Sequence, residues 1–465
     1  MENIIFHVDV NSAFLSWSSV KRLEEDPNAP DLRLVPSAVG GDVEKRHGII
    51  TAKSVPAKKY GVETGEPVVK ALQKCPELIL IPSDFQTYRK YSRSLMNILR
   101  TYSDVVEQAS IDEAYLEMTE SVSAFQKQCG IESQREAAYL LARKLQTEVR
   151  ETLKFTVNVG ISENKLLAKT ASDFSKPDKI HTLYPEEIKE KLWPLPIGEL
   201  HGCGKATAEK LRNIGIRTVG DAAETDLNVL KSLLGEKGGV YIYQSANGLG
   251  SRVVHGEREE AKGYSNETTT SSDITSDNYE ADAPPLIEML AGSVSRRMQR
   301  DGVYAQTIGV MVKTDDFHRH SRQMTLAESS NQFEVVNQIA QKLMRELLFG
   351  EKGIFASGRG IRLIGVSGTN LDHGEYRQMN LFEFMKSGGS AEKKQGSTEK
   401  EQKSSVEERE ASSQKREEHK SRQEENNREA DKQRRLEAML AGIRGKYGDD
   451  AVKKGGEFTS GEKDL

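Results

Sequence analysis

Three carboxylates in two distant stretches carry the chemistry that this sequence can do. Asp9 ends the mostly apolar run His7-Val8-Asp9-Val10, and Asp112 and Glu113 stand side by side in Ser110-Ile111-Asp112-Glu113. A carboxylate at the end of a buried strand is costly unless something pairs with it. Adjacent residues of a regular strand point to opposite faces, but at a hairpin bend both can converge on one point. Three carboxylates meeting there would repel one another, and a divalent cation is the usual remedy. Oxygen donors with no cysteine nearby favour Mg²⁺ over Zn²⁺. The plainer alternative is that Asp9 caps the next helix and Asp112-Glu113 is a solvated turn; spacing alone leaves both open.

The elements that must position these residues are partly readable. Residues 3–10, short and rich in Ile, Val and Phe, predict a buried strand. A helix over residues 12–25 follows, capped by Asn11 or Ser12. Residues 104–109 and 114–118 predict a β-hairpin around the acidic turn. A helix over 133–153 leads to a strand over 155–161. Further along, strands are expected at 305–314 and 360–367, with helices at 285–300 and 332–348. Strands and helices do not alternate as regular βαβ units, so the fold class is α+β, in several domains.

Composition narrows the function classes. At 465 residues the chain is long enough for about three domains. Hydrophobic residues make up 36 % and charged residues 29 %, so part of the chain is expected to lie outside any core. No apolar run approaches the ~18 residues of a membrane span, and the first residues lack the pattern of a signal peptide. Three cysteines, Cys75, Cys129 and Cys203, never spaced as C-x-x-C, argue against a disulfide framework or cysteine zinc site. A reducing cytoplasm fits best. The net charge of −5 does not exclude nucleic acid, because the basic footprint is local.

One feature suits a sequence-independent grip on a phosphate backbone. His201-Gly202-Cys203-Gly204-Lys205 through Leu211 reads as a helix-hairpin-helix. Gly202 and Gly204 let the backbone approach a phosphate, and the helix opening at Lys205 offers free N–H groups. A plain glycine turn is the bland alternative. Basic residues from Arg296 to Arg322, Arg319 and Arg322 among them, outnumber the acids there; such clusters are usually solvated surface.

His7-Val8-Asp9-Val10-Asn11-Ser12-Ala13-Phe14 and Ser110-Ile111-Asp112-Glu113-Ala114-Tyr115 together resemble the two acidic motifs of Y-family DNA polymerases, most closely the polymerase IV branch. Lys58-Lys59-Tyr60-Gly61-Val62 resembles the fingers motif, and Val159 through Lys176-Pro177 the end of the palm. The resemblance implies a right-hand polymerase: palm over 1–13 and 82–183, fingers over 14–81, and thumb over 184–250. A little finger over 262–372 and a linker over 373–385 would follow. It implies two Mg²⁺ ions on the catalytic Asp9, Asp112 and Glu113 with the Val10 carbonyl, about 3.5–4 Å apart, joining dNTPs to a primer 3′-hydroxyl. Phe14 falls at the steric gate against ribonucleotides, and Lys58 and Lys176 at nucleotide-binding positions. Gly202, Gly204, Lys205, Arg319 and Arg322 fall at DNA-binding positions. Gln378-Met379-Asn380-Leu381-Phe382 resembles the peptide with which bacterial polymerases bind the sliding clamp, through Gln378, Leu381 and Phe382. The partners implied are primer-template DNA, dNTP and the clamp, with no membrane, and the protein as a monomer.

Three positions depart from the family pattern. Asn11 stands where many members carry Asp. Val55 and Lys58 replace a Tyr and an Arg that grip the triphosphate; lysine keeps the charge but loses the bidentate fork, and Lys53 offers a substitute. The Val55 and Lys58 changes leave room for a rival reading, a catalytically impaired relative acting as a clamp-bound scaffold. The last segment, 386–465, carries 19 Lys and Arg against 18 Asp and Glu. Val406 is its only large apolar residue before Arg435. The composition predicts a disordered or helical charged tail, with Leu436, Met439, Leu440 and Ile443 at helical spacing near its end.

Overall fold

The computed structural model describes residues 2–41, 48–257 and 260–373. The expected clamp peptide at 378–382 and the charged tail lie outside the described residues. The strands, in chain order, begin with β1 (Ile5–Val10), β2 (Ser37–Gly40), β3 (Ile50–Lys53), β4 (Ile79–Ile81), β5 (Val106–Gln108) and β6 (Glu113–Glu117). They continue with β7 (Val157–Ser162), β8 (Ile180–Thr182), β9 (Gly263–Ile274), β10 (Tyr304–Thr314), β11 (Arg319–Ser330) and β12 (Ile361–Asp372).

A five-stranded sheet ordered β5-β6-β1-β7-β8 puts β1 at its centre, antiparallel to both neighbours. Phe6, Val8 and Val10 face a core that includes Trp17, Leu95 and Leu145, from the helices Ala13–Glu25, Phe85–Tyr102 and Gln134–Leu153. His7 and Asp9 alternate to the other face, where the helix Lys165–Asp173 packs. With both faces covered, β1 reads as a nearly continuous apolar run. Gly160 makes that packing possible. A Cβ there would lie 1.9 Å from the Ala168 carbonyl oxygen and 2.5 Å from the Ser172 nitrogen.

Three smaller modules surround this sheet in sequence. A three-stranded sheet, β3-β2-β4, is backed by the short helices Val55–Lys59 and Val68–Lys74. A helical module holds Lys205–Asn213, Val219–Glu224, Leu227–Leu234 and Glu236–Ala246 around Leu211, Ile216, Leu230 and Ile242. A four-stranded antiparallel sheet, β11-β10-β12-β9, carries the helices Tyr279–Arg300 and Phe333–Leu348 on one face. None of the described helices is long and apolar enough to cross a membrane.

The expected elements recur with shifted ends. The acidic hairpin is β5–β6, although Glu113 is already the first residue of β6. Ser12 sits at the cap of its helix in a left-handed conformation, φ 48°, and its side chain makes no capping bond. The helix expected from 285 begins at Tyr279, with Pro284 and Pro285 inside its second turn. Tyr279 is fully buried, edge-on to Phe349, so packing extends the helix ahead of its prolines. Strands β9 and β11 are polar along most of their length and give little alternation to read.

Candidate active site

The register of the central sheet brings two of the three carboxylates together. Asp9 on β1 lies directly opposite Glu113 on β6 and, on its other side, opposite Asn158 on β7. Asp112 sits in the turn just before β6. Its carbonyl accepts a hydrogen bond from the Val10 N–H at 3.1 Å, so its backbone abuts the end of β1. Its carboxylate accepts from the Ser110 hydroxyl at 2.6 Å, and that hydroxyl in turn accepts from the Asp112 and Glu113 N–H groups. Among the described residues no three His, Cys, Asp or Glu side chains form a preassembled metal-holding group.

Two lysines answer the paired carboxylates. Lys176 Nζ lies 2.9 Å from Asp9 Oδ1 and 2.9 Å from Asp173 Oδ1. Lys169 Nζ lies 2.6 Å from Glu113 Oε1, a pair largely shielded from water. Burial pushes the Asp9 carboxyl up to about 7, against the pull of Lys176, and Glu113 alongside adds to the rise. Glu113 moves the opposite way, below the usual carboxylate range. Burial opposes this shift, but the hydrogen bond from Asp9 and the Lys169 ammonium prevail. The corner is thus an all-oxygen acidic pair that draws positive charge inward, a donor set suited to a hard divalent ion.

Behind it, His7 is fully buried, and burial, then the charge of Lys169, drives its imidazole down to about 3. The Ser172 hydroxyl donates to the Lys169 carbonyl at 2.7 Å. His7 Nδ1, 2.8 Å from that hydroxyl, is therefore assigned the proton. A neutral histidine here braces the helix that carries Lys169.

The other candidate residues stand on separate elements. Phe14, in the first turn of Ala13–Glu25, is half-buried and stacked on Tyr88, with ring centroids 4.6 Å apart. Lys58 is exposed on the short helix Val55–Lys59 beside the exposed Val55. Gly202 has φ 81°, and a Cβ on it would meet the Tyr241 ring at 2.5 Å. Gly204 caps the helix that starts at Lys205, and nothing lies within 4 Å of the place its Cβ would take. The two arginines on β11 do not form one patch. Arg319 pairs with Lys313 in register, on the face away from the helices, and meets Glu267 at 3.7 Å. Arg322, three residues on, points to the helix side and binds Glu346 at 2.9 Å.

Sequence reasoning passed over Lys169, Ser110 and Asn158. Lys165 and Lys169, four apart on one helix turn within a block already marked as functional, were the available signal for the first. Asn158 gave none, because a polar residue between valines looks like an outward position of a strand.

Known proteins match this chain over most of its length. The impB/mucB/samB family matches residues 8–173, its helix-hairpin-helix motif residues 185–216, and its C-terminal domain residues 261–381. A DNA polymerase IV of Clostridium acetobutylicum is 39 % identical over 383 residues, covering 82 % of this chain and 91 % of that one. DNA polymerase IV 1 of Bacillus subtilis is 38 % identical, covering 82 % and 86 %. One of Clostridium kluyveri is 31 % identical across 98 % of both chains. Among solved structures, a Y-family DNA polymerase chimera superposes with a TM-score of 0.67 at 27 % identity. That match covers 79 % of this chain and 98 % of the chimera. The mixed α+β architecture is that of the same group, a catalytic core followed by a little-finger domain over the four-stranded sheet. On these grounds the chain belongs to the DNA polymerase IV family of Y-family DNA polymerases.

Proposed function

We propose that this chain copies template DNA, damaged templates included, by joining a dNTP to a primer 3′-hydroxyl at the Asp9–Glu113 corner. The observation that carries the reading is the cross-strand pairing of Asp9 with Glu113, with a lysine in contact with each. Asp9, Asp112, Glu113 and the Val10 carbonyl are the groups that would hold two Mg²⁺ ions. Bound there, the ions would favour loss of the proton from the attacking hydroxyl and stabilise the charge on the departing pyrophosphate. The residues of the chain do the rest. Lys176, released from Asp9, would meet the triphosphate as a point charge, with Lys58 and Lys53 doing the same from the fingers. The Phe14 ring, held by Tyr88, would fill the space a ribose 2′-hydroxyl needs.

DNA would be held by the glycine turn at Gly202–Lys205 and by the open face of the four-stranded sheet, which carries Arg319. Arg322 is the weaker candidate of the two, since Glu346 already engages it on the opposite face. Gln378, Leu381 and Phe382 would tether the enzyme to a sliding clamp.

Primer extension tests this reading. The chain should extend a primer with Mg²⁺ and dNTPs, and Asp112→Ala should lower the rate at least about a thousandfold, given the several kcal/mol that bound metals supply. Binding to primer-template should stay within a few-fold. Phe14→Ala should admit ribonucleotides in the same assay. No extension by the unaltered chain would sink the proposal, and unchanged ribonucleotide rejection would remove the gate.

A further inference from the structure

We propose that Asn11 and Asn158 are positioning residues: an amide pair that latches the loop carrying Lys176 and thereby sets the grip on the incoming triphosphate. Both side chains are buried and face each other across the end of β1 and β7, Asn11 Nδ2 donating to Asn158 Oδ1 at 3.1 Å. Every remaining polar atom of the pair is used. Asn11 Oδ1 accepts from the Asp178 N–H at 2.9 Å and from the Thr156 hydroxyl at 2.9 Å. Asn158 Oδ1 also accepts from the Lys179 N–H at 3.1 Å, while its Nδ2 donates to the carbonyls of Ser172 at 2.9 Å and Ser175 at 2.6 Å.

Four of these bonds thus grasp the backbone on both sides of Lys176, at Ser172 and Ser175 before it and at Asp178 and Lys179 after it. Asn158 is also the direct cross-strand partner of Asp9. The latch therefore starts beside Asp9, seizes the loop, and the loop returns Lys176 Nζ to within 2.9 Å of that same carboxylate. The hydrogen-bond pattern demands an amide at position 11. An aspartate there would keep both accepting bonds but could not donate to Asn158 Oδ1, and would face that oxygen with a charge of its own. The departure at Asn11 is thus matched by Asn158 rather than left uncompensated.

The inference rests on the proposed role of Lys176 at the triphosphate, and a double-mutant cycle separates the two. Steady-state primer extension is measured for Asn11→Ala, Lys176→Ala and the double variant, with a melting curve for each. Lys176→Ala should raise KM for dNTP by about tenfold or more, the factor expected for one charge-assisted hydrogen bond. Asn11→Ala should raise it by about threefold to tenfold with kcat changed less. In the double variant Asn11→Ala should add little beyond Lys176→Ala alone, because the latch acts through that lysine. If Asn11→Ala does not fold, Asn158→Ala supplies the same cycle from the β7 side. Multiplying, independent effects on KM would overturn the latch while leaving Lys176 in place. An unchanged KM in Lys176→Ala would overturn the latch at its premise and the nucleotide role of that lysine with it.

Discussion

At the scale of single residues, the surroundings divide charge unequally between two paired acids. Lys169 holds Glu113 ionised, and burial holds the proton on Asp9 up to about 7. An acid whose folded value lies above its free value of 3.8 binds its proton more tightly in the fold. Asp9's own contribution to the stability of the metal-free protein therefore falls as the pH rises from about 4 to 7. A divalent ion needs Asp9 as carboxylate, so binding must expel that proton. Calorimetric titration of the metal in buffers of different ionisation enthalpy should show about one proton released per chain at pH 6. Release should fall close to zero at pH 9, and Asp9→Asn should abolish it. Equal release at both values would remove Asp9 from the ligand set. These acids could be singled out in the sequence by a lone carboxylate inside Ile4 to Val10 and an Asp-Glu pair at a turn, although only the family resemblance favoured a metal site over a helix cap and a solvated turn. Their partners could not, because the pairings of Lys169 with Glu113 and Lys176 with Asp9 span 56 and 167 positions of chain.

At the scale of elements, one glycine lets the site assemble. Gly160 allows the helix Lys165–Asp173 to lie against β7 closely enough for Lys169 to reach Glu113. Its clash would be with backbone, which cannot swing aside, so Gly160→Ala must separate helix from strand. Denaturant unfolding should show a loss of about 1–3 kcal/mol or more, the usual range for forced overpacking. A change under about 0.5 kcal/mol would mean that the contact is softer than it looks. Elements with a buried face were readable in advance: β1 as a short apolar run, and the acidic hairpin, the helix Gln134–Leu153 and the inner strand β10 from their apolar positions. Edge strand β11 was not, since nearly every residue from Arg319 to Ser330 is exposed or half-exposed and no apolar alternation is needed. The same strand explains why Arg319 and Arg322 looked like one basic cluster. Three residues along a helix share a face; three along a strand do not.

At the scale of the whole molecule, a chain of net charge −5 that copies DNA as proposed has to bind a polyanion, so its DNA contacts have to be local. A tether to a clamp would add to those contacts by raising the effective concentration at the primer end. Replacing Leu381 and Phe382 by Ala should cut clamp-stimulated synthesis at least about tenfold and spare the unstimulated rate, as removing two anchor side chains predicts. Stimulation that survives the change would rule the peptide out as the tether. The measurement that bears most directly on the central claim is anomalous scattering from Mn²⁺ in crystals of the chain with primer-template and an unreactive dNTP. Ion peaks are predicted at roughly 2–2.6 Å from oxygens of Asp9, Asp112 and Glu113, with Lys169 and Lys176 drawn off the carboxylates they now hold. Ions seated elsewhere, with Asp9 still bound to Lys176 in the loaded complex, would contradict it.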